Sequence, residues 1–147
     1  RYPSVEAIFG PLHPLEQGPH DDLARRLSRL ARRWQADVVY APLTIGDHVD
    51  HVRVRVAAEA TGLPLAYYED TPYAMRETRT ANWRGRAAGL SRRLARCTRE
   101  DLAAKRAGIV AYTSQISSLW PSVEAFDHDL AMFHRHGSHL GEWLWAP

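Results

Sequence analysis

The segment Asp37-Val38-Val39-Tyr40-Ala41-Pro42-Leu43 limits this chain more than any other. It is a nearly continuous apolar run, without the alternation of a strand that keeps one face wet. Such a run is expected of a parallel strand covered by helices on both sides. Parallel strands need helical crossovers, and the flanking sequence supplies them. Upstream, Asp21 and Asp22 open a helix whose Leu23, Leu27, Leu30 and Trp34 share one face. Downstream, the loop Thr44–Asp47 leads to a second helix from about His48 to Thr61. Its inward stripe is Val52, Val56 and Ala60, and Gly62 stops it. Leu63–Tyr68 reads as the next strand. The expected fold is therefore α/β: a Rossmann-like, three-layer arrangement on a mostly parallel sheet.

The rest of the chain is less regular. Val5–Phe9 is short, apolar and compatible with a strand, and a Gly/Pro/His-rich loop, Gly10–His20, follows it. Between Arg76 and Arg106 nine arginines and Lys105 stand against only Glu77, Glu100 and Asp101, although the whole chain carries a net charge of just +2. Arginine forks match phosphate oxygens, and Trp83 among them would suit stacking on a base. A solvated helical face or a loop is the preferred reading of such a run, with an oligomer contact left open and nucleic acid not the expected partner. From Leu102 the positions Leu102, Ile109, Tyr112, Ile116 and Leu119 return at helical spacing, and Pro121 ends that helix. The tail histidines His128, His134, His136 and His139 are too irregularly spaced to be read as a metal site.

With 147 residues, 45% hydrophobic and 24% charged, the chain is expected to form one domain, residues 1–147, with an Arg-rich insertion at about 76–106. No apolar run approaches the roughly 18 residues that span a bilayer. The lone Cys97 allows neither a disulfide framework nor a cysteine metal cage within the chain, and fits a reducing cytoplasm.

The chemistry is concentrated in Gly46-Asp47-His48-Val49-Asp50-His51. This stretch leaves a buried strand and enters a helix, the place where ligands sit in open α/β sheets. His48 and His51, three residues apart, fall on one face of the first helical turn. Asp50 between them is placed to bond a ring N–H and fix the tautomer of a ligating histidine. Glu69 and Asp70, at the carboxyl end of the following strand, are placed either to contact a ligand or simply to cap the following turn.

These blocks resemble the LmbE/PIG-L family of zinc-dependent N-deacetylases. The resemblance rests on Gly46–His51 with its preceding strand and on Tyr67-Tyr68-Glu69-Asp70-Thr71-Pro72-Tyr73. It continues in Lys105, Ala107, Ile109, Ala111, Tyr112, Ser114 and Gln115, and in the aromatic ending Glu142-Trp143-Leu144-Trp145. The resemblance implies a Zn2+ cofactor with His51 as a ligand. It implies His48 as the group that stabilises the oxyanion or protonates the leaving amine, and Asp50 as the carboxylate behind the metal ligand. Asp47, Glu69, Asp70, Tyr73 and Gln115 become the expected substrate contacts. The implied reaction is removal of an acyl group, usually acetyl, from an N-acylated amino sugar or a related small molecule.

One departure matters. The family carries a His-Pro-Asp-Asp motif after its first strand, which supplies two further zinc ligands and the general base. The nearest text here, Pro19-His20-Asp21-Asp22, follows a polar loop and reads as a helix start. A catalytic zinc takes about three protein ligands. Because the chain begins on Arg1 without Met, the expectation is a C-terminal portion of a deacetylase domain, inactive alone if its first strand and remaining ligands lie upstream or on another chain. The alternatives are a non-catalytic anion- or nucleic-acid-binding module using the Arg-rich stretch, and a sugar- or nucleotide-binding transferase fragment.

Overall fold

The computed structural model describes residues 2–16, 21–76 and 83–147. Helix α1 (Asp21–Arg33) begins where the paired aspartates predict it. Pro19 and His20 lie outside the described residues. Strand β1 (Val39–Pro42), helix α2 (Val49–Glu59) and strand β2 (Leu65–Tyr68) form the expected βαβ unit. β1 and β2 run parallel, Val39 opposite Leu65 through Pro42 opposite Tyr68.

The rest of the sheet corrects the expectation of mostly parallel strands. Its order is β1-β2-β5-β3, where β3 is Ser91–Arg96 and β5 is His139–Ala146. β5 is antiparallel to both β2 and β3, so the sheet is mixed. The two-residue strand β4 (Arg135–His136) turns into β5 through Gly137, whose φ of 63° suits a residue without a Cβ.

β3 lies inside the Arg-rich stretch, where a helical face or loop was expected. Four of its six residues are exposed and three are arginines, a pattern that suits the end of a sheet, where charge discourages further pairing. Its order comes from β5: all six residues find a register partner there, and the Arg92 guanidinium lies 4.4 Å over the Trp143 ring. Helix α3 (Trp83–Ala87) precedes it.

Two further expectations change. Val5–Phe9 is not a strand: Glu6–Ile8 is a 3-10 turn, and only Phe9 bridges, to His48. The helix expected from Leu102 to Pro121 is two helices, α4 (Arg99–Val110) and α5 (Thr113–Leu119), broken at Tyr112, whose ψ of 66° is not helical. Thr98 and Asp101 start α4 with a reciprocal capping box. Helix α6 (Val123–His134) follows, capped by Ser122.

Two apolar clusters hold these elements. One joins Ala41, Leu43 and Ile45 to Ala58 of α2, Tyr67 of β2 and Ala87 of α3. The other gathers Ile116 and Trp120 against Phe126 and Leu130 of α6. The α2 residues that face inward are Val49, Ala57 and Ala58, while the predicted Val56 is 38% exposed and Ala60 is also exposed. Leu30, Trp34 and Tyr40 likewise remain 40%, 70% and 51% exposed.

Candidate functional site

The loop from Thr44 to Asp47 lies at the carboxyl end of β1, against that of β2. Thr44, Ile45, Gly46 and Asp47 are all buried, unusual for a connecting loop. Thr44 and Asp47 both hold positive φ, 63° and 56°, a conformation that costs a residue with a Cβ and persists only when its surroundings enforce it. Three contacts enforce it here. The Ile45 backbone N–H donates to Asp70 Oδ1 at 2.9 Å. Gly46 lies so close to Tyr73 that a Cβ there would clash with the ring. From α3, Arg86 donates to the Thr44 carbonyl at 2.6 Å and to its hydroxyl at 2.7 Å, and pairs with the Asp47 carboxylate.

Both histidines of the motif follow from this loop. His48 caps α2, and its Nδ1 accepts the Asp50 backbone N–H at 3.2 Å. With Nδ1 occupied as an acceptor, the neutral ring carries its proton on Nε2. Burial, reinforced by the neighbouring His51, pushes the His48 pKa below its ordinary value, which favours the neutral ring. His51 Nδ1 lies 2.8 Å from Asp70 Oδ2. A carboxylate only accepts, so Nδ1 donates and Nε2 is left with a free lone pair. Asp70 is 1% exposed and thus serves two masters, the loop backbone and the His51 ring.

The carboxylate bonded to His51 is therefore that of Asp70, and not, as the spacing suggested, that of Asp50. The Asp50 side chain is 80% exposed and lies 4.0 Å from His48 Nδ1. Its backbone, rather than its carboxylate, orients a histidine. The other predicted residues divide. Tyr73 and Gln115 line a cavity of about 600 Å³ with His48 and His51. Asp47 does not line it and is instead buried and held by Arg86. Glu69 faces elsewhere: it accepts from Trp145 Nε1 at 3.1 Å and lines a separate cavity with Trp83, Arg92 and His136.

Sequence reading passed over Arg86 and Lys105 as site residues. Lys105 lines the 600 Å³ cavity, its Nζ 2.7 Å from Glu142 Oε1. Glu142 also meets His134 Nε2 at 3.2 Å, while His134 Nδ1 donates to the Leu130 carbonyl at 2.8 Å. The hydrogen bond from His134, with the Lys105 pair, holds the Glu142 pKa down at about 2. Lys105 stands in the block that carried the resemblance and was a visible signal. Arg86 is one arginine among many until α3 places it.

Among the described residues no three His, Cys, Asp or Glu side chains are grouped to hold a metal ion. Among the described residues, His51 has the arrangement typical of a metal-ligating imidazole, one nitrogen bonded to a buried carboxylate and the other open.

No family model and no curated protein matches the chain. Solved structures do. The zinc-inhibited form of teicoplanin deacetylase Orf2 superposes with a TM-score of 0.75 at 21% identity, covering 92% of this chain and 54% of that one. The A40926 pseudoaglycone deacetylase Dbv21 matches with a TM-score of 0.66 at 23% identity, over 92% of this chain and 60% of its own. The chain has the fold of these deacetylases. A further structure, a deacetylase–bog complex from the teicoplanin biosynthesis pathway, gives a TM-score of 0.74 at 22% identity, over 92% of this chain and 56% of its own. The chain thus spans about half the length of the deacetylase structures it matches.

Proposed function

We propose that this chain contributes to the site of a zinc-dependent N-deacetylase that removes an acyl group from an N-acylated amino sugar or a related small molecule. The buried Asp70 carboxylate on His51 Nδ1 carries the reading, because it presents Nε2 as a ready metal ligand beside a second, neutral histidine. The likeness in fold to deacetylases supports it, as does the sequence resemblance to the LmbE/PIG-L family.

In this reading His51 holds the zinc together with ligands outside the described residues. A bound zinc would polarise the acyl oxygen and acidify a water. His48 does the proton work of the chain itself: its Nε2–H donates toward the acyl oxygen as negative charge develops, or toward the departing amine. Asp70 fixes the His51 ring and its tautomer. Tyr73 and Gln115 border the bound substrate. Asp47 acts through the loop, by its pair with Arg86.

Zinc titration against a chromophoric chelator tests the metal arm, and amine release from N-acetylglucosamine derivatives tests the chemistry. Expected are one zinc per chain, lost in His51→Ala and weakened about 10- to 100-fold in Asp70→Asn, with His48→Ala retaining metal. Unchanged zinc affinity in both His51→Ala and Asp70→Asn would overturn the assignment.

A further inference from the structure

The segment Glu69–Met75 borders two cavities. Thr71, Pro72 and Tyr73 line the one beside His48 and His51, whereas Glu69, Ala74 and Met75 line a second, of about 310 Å³, that shares none of its residues. That size is at the lower end for ligand-binding cavities and has room for one small ring with its substituents. The indoles of Trp83, Trp143 and Trp145 line it, from α3 and β5. Trp83 and Trp145 meet edge to face with 6.2 Å between centroids, and the Trp145 N–H is fixed on Glu69 Oε1 at 3.1 Å.

Two polar side chains of this cavity are unspent. The Arg92 guanidinium lies over the Trp143 ring but makes no hydrogen bond or ion pair among the described residues. His136 packs on the same indole, 5.1 Å between centroids, and its Nε2 is buried with no hydrogen-bond partner among the described residues. Buried polar atoms are nearly always bonded, so an orphan at the lining of a cavity points to a partner from outside the chain. The lining also narrows what that partner is. An anion would be repelled by Glu69 and a cation by Arg92, which favours a neutral ligand. A wholly apolar ring would desolvate Arg92 and His136 without bonding either. A pyranose meets both conditions, because its hydroxyls donate and accept while its C–H face packs on the negative face of an indole.

We infer that this second cavity is a pyranose-binding site, in which Arg92 and His136 bond ring hydroxyls and the indoles pack against the ring. No bond is made or broken there, and the inference does not rest on the deacetylase reading.

Ligand-observed NMR on the whole chain tests it, with the methyl β-glycosides of glucose, galactose and mannose as probes. These sugars carry no amide for the histidine cavity. At least one should bind with a Kd of about 1 mM, within reach of a ligand of this size. Cyclohexanol, with one hydroxyl, and phenylacetate, a ring-bearing anion, should bind about tenfold more weakly. Arg92→Gln and His136→Leu should each weaken the best glycoside about tenfold, while His51→Ala leaves it unchanged. His136→Leu replaces an unbonded buried nitrogen by apolar atoms, so its thermal midpoint should not fall, which separates lost binding from lost folding.

Binding of none of the three glycosides overturns the inference, and so does cyclohexanol or phenylacetate bound as tightly as the best of them. Glycoside binding abolished by His51→Ala but untouched by Arg92→Gln and His136→Leu would also overturn it. That result would move the sugar to the histidine cavity and leave the deacetylase reading standing.

Discussion

Arg86 reaches the Thr44–Asp47 loop from a five-residue helix and meets it at three points: the Thr44 carbonyl, the Thr44 hydroxyl and the Asp47 carboxylate. Its own backbone carbonyl in turn accepts from Arg55 at 3.3 Å, and a second nitrogen of Arg55 donates to the Leu43 carbonyl at 3.0 Å. Two residues of this loop hold positive φ, so the bonds offset backbone strain as well as charge. A planar fork meeting several acceptors is a task for arginine, which lysine's single ammonium does poorly. On the proposed deacetylase reading, Arg86→Ala should therefore lower zinc affinity and kcat while KM changes little, since Arg86 would act through the loop that carries His48 and His51 rather than on substrate. Arg86→Lys should restore only part of the loss. A pure rise in KM with kcat intact would contradict this positioning role. None of this was legible in the sequence, where Arg86 is one of nine arginines in a stretch read as a solvated face.

Among elements, β5 does the most joining. It pairs with β2 on one side and β3 on the other, and it sends Glu142 to meet Lys105 of α4 and His134 of α6. His134 is fully buried while Lys105 and Glu142 stay partly exposed, and together they tie two helices to the sheet. The folded-state pKa of Glu142, about 2, lies below the ordinary carboxylate value of about 4.3. The charged form is thus favoured by folding, and its contribution is present above the ordinary value and lost as pH falls toward 2. Urea unfolding of the wild type and Glu142→Gln should show a stability gap at pH 7 that narrows steadily from pH 5 down to pH 2. A gap independent of pH would mean that the carboxylate's charge is irrelevant to this junction. β3 teaches the complementary lesson. Its arginines hid a strand because the partner that orders it, β5, comes some forty residues later.

At the scale of the whole molecule, the candidate site lies on the seam between the two apolar clusters. Tyr73 on its polar side packs against the sheet cluster, while Ile116 and Trp120 on its apolar side belong to the helical one. The shape of the cavity depends on both. Phe126 is fully buried, its ring edge-on to Trp120 at 5.0 Å, and the indole N–H of Trp120 is anchored to Asp129 at 2.8 Å. Phe126→Ala should cost about 3–5 kcal/mol in denaturant unfolding and loosen the α5 wall of the cavity. A loss below about 1 kcal/mol would mean that this cluster does not bear on stability. Among the described residues no helix is long and apolar enough to cross a membrane. What the sequence determined by itself is the βαβ unit and the loop that carries His48 and His51. Those features are local, written in apolar runs, caps and spacing that each segment reads without help from the rest. What only the tertiary structure decided is which carboxylate serves His51, which arginine holds the loop, and how β5 turns a parallel start into a mixed sheet. Each of these joins residues far apart in the chain, and a pairing between distant side chains leaves no period or motif in either partner's own neighbourhood.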